Sequence, residues 1–250
     1  NYCEAVVDAH LKKQGRPTTV DEYTQRVLKA IDDGNTQTSN FKPERYSIPG
    51  LSSNRVRHFL NSLCSYDDAV YLELGTYTGS TFFAATMGNK AKCIGVDDFS
   101  EPNVRPVVER GQWTECGNPY DTLVKNWQKY ENGNAAFVKA SAEELTEEDF
   151  GGSKVNILFY DANHDIMAQM NNLNHLLPFL DDKFILVVDD ANFDGVVEGA
   201  VTWAQENNLK CYFERKILSS VIESPVHWWN GIHIMVLEKD NRIKQYISGN

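Results

Sequence analysis

The stretch NILFYDANHD, Asn156 to Asp165, passes from apolar residues fit for a buried strand straight into Asp161, Asn163, His164 and Asp165. Two explanations compete for that polar end. Asp and Asn suit turns and helix caps, because their side chains bond nearby backbone N–H groups. The alternative is a reaction centre, with carboxylates, an amide and an imidazole mounted on the tip of a core strand.

Reading outward, six further runs resemble this one. AVYLEL (69–74), KCIGVD (92–97), AAFVKA (135–140) and KFILVVD (183–189) are short and apolar with little alternation, as is VNILFYD (155–161) itself. That pattern suits strands covered on both faces in a parallel sheet. CYFERKIL (211–218) and IHIMVLE (232–238) have no convincing helix between them and are expected to pair antiparallel at one edge. Helical signals separate the earlier runs. SAEELTEEDF carries Ser141 and Glu144 in a capping-box spacing, and Ile166, Met170, Leu173 and Leu177 recur at helical spacing as plain core residues. The alternation predicts a three-layer α/β fold with right-handed crossovers. Residues 1–66 read as a helical lead-in packed on the sheet, and 67–250 as the main domain. In that lead-in Thr19 and Glu22 suggest a capping box, Gly34 a stop, and Val56, Phe59, Leu60 and Leu63 one buried helix face.

Composition narrows the function. Lys and Arg number 24 against 35 Asp and Glu, a formal charge of 24 − 35 = −11, which disfavours a nucleic-acid partner because phosphate backbones are held mainly by basic side chains. No apolar run approaches the ~18 residues of a membrane span, and NYCEAVVDAHLKK lacks the basic-then-apolar order of a signal peptide. Cys3, Cys64, Cys93, Cys116 and Cys211 are widely spaced without a CxxC pair, so reduced thiols in a cytoplasmic protein are expected. The chain starts with Asn, so its first residue need not be the native N-terminus. Oligomeric state is left open.

The first strand runs into VYLELGTYTGSTFFAAT, where Gly75 and Gly79 allow a sharp turn and close approach of a ligand. A dinucleotide GxGxxG would need glycine at 77 and about 80, where Tyr77 and Ser80 stand, and no Gly-Lys-Ser/Thr of a P-loop follows. Glu73 would repel a diphosphate and attract an ammonium group. S-adenosylmethionine has an ammonium and a sulfonium and no phosphate, so it fits better than NAD or ATP. Asp97, 24 residues after Glu73, is placed to accept ribose hydroxyls, with Asp98 as the neighbouring alternative. If the strands ending at Asp161 and Asp189 are neighbours, about 4.8 Å apart, Asp161, Asp189 and Asp190 converge beside that crevice. Three carboxylates so close call for a cation. Hard oxygen donors suit Mg²⁺.

ELGTYTGS, GVDDF, YDANHD and VVDDAN together resemble the class I S-adenosylmethionine-dependent methyltransferases, and more narrowly their metal-dependent O-methyltransferase branch with sugar and macrolide-sugar enzymes. The resemblance covers about Leu51 to Glu238. It implies a doubly wound, Rossmann-like seven-stranded sheet, mostly parallel with an antiparallel edge strand. It further implies cofactor contacts at Glu73, Gly75, Thr76, Gly79, Ser80, Asp97, Asp98, Ser141, Ala142 and Asp161. Asp161, Asp189 and Asp190 become metal ligands, with Asn192 and Asp194 near enough to substitute. His164 becomes the general base acting with Asp161 on a hydroxylated small molecule, and Asn163 can face that acceptor. The rivals are a metal-independent enzyme using His164 alone, a non-catalytic cofactor-binding homologue and an NAD-dependent oxidoreductase. Two departures weaken the branch assignment: Asp181-Asp182-Lys183 replaces a glycine pair, and Asn172 replaces an acid. The long segment after Phe99 and the Trp228-Trp229 pair are expected to help cover the substrate, the plain alternative being that both Trp residues pack an edge hairpin.

Overall fold

The computed structural model describes residues 21–45, 47–100, 106–131 and 133–240. In chain order its strands are β1 (Val70–Leu74), β2 (Lys92–Val96), β3 (Pro106–Glu109), β4 (Gln112–Glu115), β5 (Ala135–Val138), β6 (Val155–Tyr160), β7 (Leu180–Asp189), β8 (Lys210–Ile217) and β9 (Ile232–Glu238). The α-helices are α1 (Glu22–Thr36), α2 (Asn54–Leu63), α3 (Ser80–Thr86), α4 (Pro119–Tyr130), α5 (Ile166–Leu176) and α6 (Asp194–Glu206). Seven strands form one sheet in the order β5-β2-β1-β6-β7-β9-β8. The first five are parallel; β9 runs antiparallel between β7 and the edge strand β8. This is the doubly wound, Rossmann-like architecture that the strand pattern predicts.

The alternating side chains of the parallel strands feed two separate cores. Tyr71, Cys93, Ile157, Phe159, Ile185 and Val187 join residues of α1, α2 and α3 on one face. Leu72, Leu74, Ile94, Leu158, Tyr160 and Leu186 join Met170 and Leu173 of α5 and Val196 and Trp203 of α6 on the other. Both faces are therefore closed to water, which explains the near-continuous apolar runs. Ser53 caps α2 by accepting from Val56 N at 3.3 Å, and Val56, Phe59, Leu60 and Leu63 are buried as their spacing predicts.

Three local expectations change. The α1 cap is Asp21, accepting from Tyr23 N and Thr24 N, and Thr19 lies outside the described residues. Gly34 does not stop that helix, which runs on to Thr36 with Gln37 left-handed behind it. SAEELTEEDF forms two 3₁₀ turns, Ala142–Glu144 and Glu147–Phe150, although Ser141 N does donate to Glu144 Oε2 at 2.8 Å. The unforeseen element is the β3–β4 hairpin, whose turn at Arg110-Gly111 has both φ angles positive. That left-handed pair is the twist-matched hairpin geometry. Cys64, Cys93, Cys116 and Cys211 are free thiols, and Cys3 lies outside the described residues. Among the described residues no helix is long and apolar enough to cross a membrane.

Gly34 has a packing role instead. A Cβ there would stand 2.6 Å from Trp228 Cη2 and 3.0 Å from the Arg55 carbonyl oxygen. In an open helix interior Gly→Ala gains up to about 1 kcal/mol. Here overpacking reverses the sign, and Gly34→Ala is expected to cost about 1–3 kcal/mol, read as a lower urea midpoint.

Candidate active site

Strand register builds the site. Val96, Leu74, Tyr160 and Val188 pair as one row across β2, β1, β6 and β7. The next row is therefore Asp97, Gly75, Asp161 and Asp189, three carboxylates and one glycine at the carboxyl ends of adjacent parallel strands. Backbone pairing continues into it: Gly75 N donates to Val96 O at 2.9 Å and Asp161 N to Leu74 O at 2.9 Å. This row opens into a cavity of about 710 Å³. Gly75 is left-handed (φ 86°), and a Cβ on it would lie 1.8 Å from the Asp161 carbonyl oxygen, so only glycine fits.

The glycine turn and the second strand form one half of the cavity. Gly79 (φ 84°) donates to Thr76 O at 2.7 Å and opens α3. Asp97 takes two backbone N–H groups, Tyr77 N at 2.7 Å and Phe99 N at 2.8 Å. Burial nevertheless raises its pKa, with the neighbouring Asp98 adding to the effect. Thr76, Ser80, Asp97, Asp98, Ser141 and Ala142 all lie on the wall, as expected of them. Glu73 does not. It is wholly buried below α3, where Tyr71 OH and Thr81 Oγ1 donate to its two oxygens. Strand alternation explains this: Leu74 and Leu72 point to one face of β1 and Glu73 to the other.

The other half answers the question posed by NILFYDANHD, and the answer is divided. Asp165 is a cap, accepting from Met167 N at 3.0 Å and Ala168 N at 3.1 Å. Asn163 lies on the wall while its Oδ1 closes a turn by accepting from Asp165 N at 2.9 Å. Asp161 and His164 face the cavity. His164 sits between two carboxylates, Nδ1 3.1 Å from Asp190 Oδ2 and Nε2 3.9 Å from Asp161 Oδ1. Its Nε2 has no hydrogen-bond partner among the described residues. Tyr160 OH donates to the Asn163 carbonyl at 2.7 Å and accepts from Asn172 Nδ2 at 3.1 Å, so the departure at Asn172 braces the loop that carries His164. Burial pushes the Tyr160 hydroxyl up to about 12, which keeps it a donor.

Burial, followed by mutual repulsion with Asp189 and Asp190, drives the Asp161 pKa well above the carboxylate range. Asp189 is raised likewise, by burial and then by Asp190, and its Oδ1 is buried without a partner among the described residues. This donor set has the chemistry a hard divalent ion requires. Its arrangement falls short of the expected metal triad: among the described residues no three His, Cys, Asp or Glu side chains form a cluster able to hold an ion. The Asp190 carboxylate is instead engaged by His164 and by Asn230 Nδ2, at 2.9 Å from Oδ1. Asn192 points elsewhere, its amide exchanging two 2.9 Å bonds with the Ser219 backbone. Asp194 begins α6 and is exposed.

Residues 219–231 supply walls that strand reading alone does not identify. Glu223, Trp229 and Asn230 line the cavity with Phe193. Trp228 packs edge-on against Phe59 instead, so the two adjacent Trp residues divide the roles proposed for the pair. From the hairpin, Trp113 reaches the Trp229 ring, their centroids 5.9 Å apart.

Residues 72–191, which span the whole row, match the model of a family described as a methyltransferase domain. No curated protein matches the chain significantly. Among solved structures, the chain is similar to S-adenosylhomocysteine-bound methyltransferase PaMTH1 of Podospora anserina, at 12% identity and TM-score 0.52 over 86% of this chain and 88% of that one. An O-methyltransferase from Bacillus cereus in complex with S-adenosylhomocysteine gives 13% identity and TM-score 0.51 over 94% and 97%. Cofactor-bound Rv0187 from MTB gives 14% and 0.51 over 86% and 91%. At these identities the likeness speaks for the fold.

Glu73 gives the pH test of this geometry. Burial raises its pKa from 4.5 to about 8, so the folded protein holds a proton that the unfolded chain has released. That contribution to stability is complete below about pH 4.5 and is lost progressively up to about 8. Glu73→Gln removes the loss. Its melting temperature relative to the parent is expected to rise between pH 5 and 8 and to level off above.

Proposed function

We propose that this chain, with its methyltransferase domain over residues 72–191, transfers a methyl group from S-adenosylmethionine to a hydroxyl oxygen of a small molecule such as a sugar. The observation that carries the reading is the Asp97-Gly75-Asp161-Asp189 row opening into one cavity beside His164. S-adenosylmethionine, when bound, supplies the electrophilic methyl on its sulfonium. Gly75, which lets the Asp161 backbone close up against the turn, lies on the wall along which the cofactor would bind, and Asp97 would receive the ribose hydroxyls. Asp161, whose pKa burial and the neighbouring acids raise, lies between the nucleoside and acceptor ends, where a bound sulfonium would favour its ionised form.

At the acceptor end the residues prepare the oxygen. Asp190 holds His164 through Nδ1, which leaves Nε2 as the atom that can take a proton from a hydroxyl. Most of the remaining rate gain comes from alignment, since oxygen, methyl and sulfur must lie in line. Asp161, Asp189 and Asp190 are the residues that would hold Mg²⁺, whose chemistry there is Lewis acidity toward the hydroxyl. A metal-independent reaction is the second reading. It is favoured by the seating of His164 between Asp161 and Asp190 and by the absence of a ready-made ligand cluster among the described residues.

Incubation with methyl-labelled S-adenosylmethionine and hydroxylated small molecules is expected to give an O-methyl product. His164→Ala should lower the rate about 10²–10⁴-fold while S-adenosylhomocysteine still binds by calorimetry. Binding of NAD without S-adenosylhomocysteine would replace the reading with a redox one. Exhaustive EDTA treatment is expected to stop transfer until Mg²⁺ is restored; undiminished activity selects the metal-independent route.

A further inference from the structure

A guanidinium stands directly behind one part of the cavity wall. Arg57, on α2, is 7% exposed, and its Nη2 donates to Ser80 Oγ at 2.5 Å. Its Nη1 donates to Asn54 Oδ1 at 3.3 Å, three residues earlier on the same helix, so two contacts fix the plane of the head group. Ser80 is itself part of the wall. Its hydroxyl therefore carries the influence of a buried positive charge to the cavity surface.

The surroundings of Ser80 are neutral. The Thr78 hydroxyl donates to the Pro49 carbonyl oxygen. The next residue, Gly50, lies so close to Ser80 that a Cβ on it would stand 2.5 Å from Ser80 Oγ and 3.6 Å from Thr78 Oγ1. Gly50 is held there by β3, exchanging backbone bonds of 3.1 and 2.8 Å with Val108. Gly50, Leu51, Ser52, Thr78 and Ser80 all lie on the wall, and none carries a charge. The carboxylates of the wall come from elsewhere: the ends of β2, β6 and β7, the turn at Glu143 and the 219–231 segment. An anionic group entering the cavity is repelled by those parts and drawn toward Ser80.

We propose that Arg57 is a positioning residue for S-adenosylmethionine: acting through Ser80 Oγ, it fixes the α-carboxylate of the cofactor's methionine part beside Gly50 and Thr78. The proposal rests on the reading of this cavity as the cofactor site and adds to it a residue outside the 72–191 domain. A serine oxygen that accepts from a guanidinium becomes a stronger donor through its own O–H. A hydrogen bond from that O–H to a carboxylate is charge-assisted, about twice as strong as a neutral one. Anchoring the cofactor by its carboxylate as well as by its ribose limits the positions open to the sulfur between them, which is what in-line transfer requires.

Calorimetry with S-adenosylhomocysteine and its decarboxylated analogue tests this, because the two ligands differ only in that carboxylate. The parent is expected to bind S-adenosylhomocysteine about tenfold more tightly or better. Arg57→Gln should weaken S-adenosylhomocysteine about tenfold and leave the affinity for the analogue unchanged. Ser80→Ala should do the same, and it carries the test alone if Arg57→Gln does not fold. The double variant should lose no more than the weaker single variant, since the two side chains act as one unit. Equal binding of both ligands by the parent, a variant that weakens both alike, a preference that survives in either variant, or losses that add in the double variant would each overturn the proposal. Labelled S-adenosylmethionine separates the two claims. Carboxylate preference lost in the variants of a protein that methylates no hydroxyl leaves the role of Arg57 standing and removes the transfer reading; a parent that binds neither ligand removes both.

Discussion

Repulsion among carboxylates at one end of a parallel sheet is the constraint on which the rest of this structure depends. Register places Asp97, Asp161 and Asp189 in a single row, with Asp190 one residue beyond and Glu73 two residues before. Neighbouring strands in a sheet are only about 4.8 Å apart, so the charges cannot escape one another. Part of the tension is met by backbone donors, as at Asp97, and part by His164, which pairs with Asp190. Part is unmet: burial raises the pKa values of Asp161 and Asp189 well above the carboxylate range, helped at Asp161 by Asp189 and Asp190 and at Asp189 by Asp190. A protein that selected only for stability would replace such groups, since one or two kcal/mol is a large fraction of a domain's margin. Their presence is understandable if the row spends part of its working cycle against positive charge.

The scaffold holds the row rigidly. Two apolar cores clamp the sheet from either face, and the glycine turn is fixed by backbone bonds and by a position that admits no side chain at Gly75. The remaining walls come from outside the parallel strands. Amide side chains join them to the centre: Asn192 grips Ser219, and Asn230 links Glu223 to Asp190.

Much of this was legible in the sequence, because buried parallel strands leave continuous apolar runs and their tips leave abrupt acids. All seven sheet strands, the glycine turn and the placement of Asp97, Asp161, His164, Asp189 and Asp190 could be read in that way. What could not be read depends on contacts distant in sequence. Glu73 sits below the wall because strand alternation turns it toward Thr81, a fact its position beside Gly75 disguises. Gly34 resembles a helix stop but serves the approach of Trp228, almost two hundred residues away. The β3–β4 hairpin had a signal in β-branched residues flanking Arg110-Gly111, although the length of its segment obscured it. Asn230 gave none, since nothing local marks an amide that joins the nearby Glu223 backbone to the Asp190 carboxylate forty residues away.

The central claim is that cationic ligands belong on this acidic row, and a crystal structure with S-adenosylhomocysteine and Mg²⁺ added tests it most directly. The account predicts the nucleoside over Gly75 with its ribose on Asp97, the sulfur directed toward His164, and the ion within reach of Asp161, Asp189 and Asp190. A cavity left empty at saturating ligand, with those carboxylates turned to solvent or bonded only to backbone N–H groups, would contradict it.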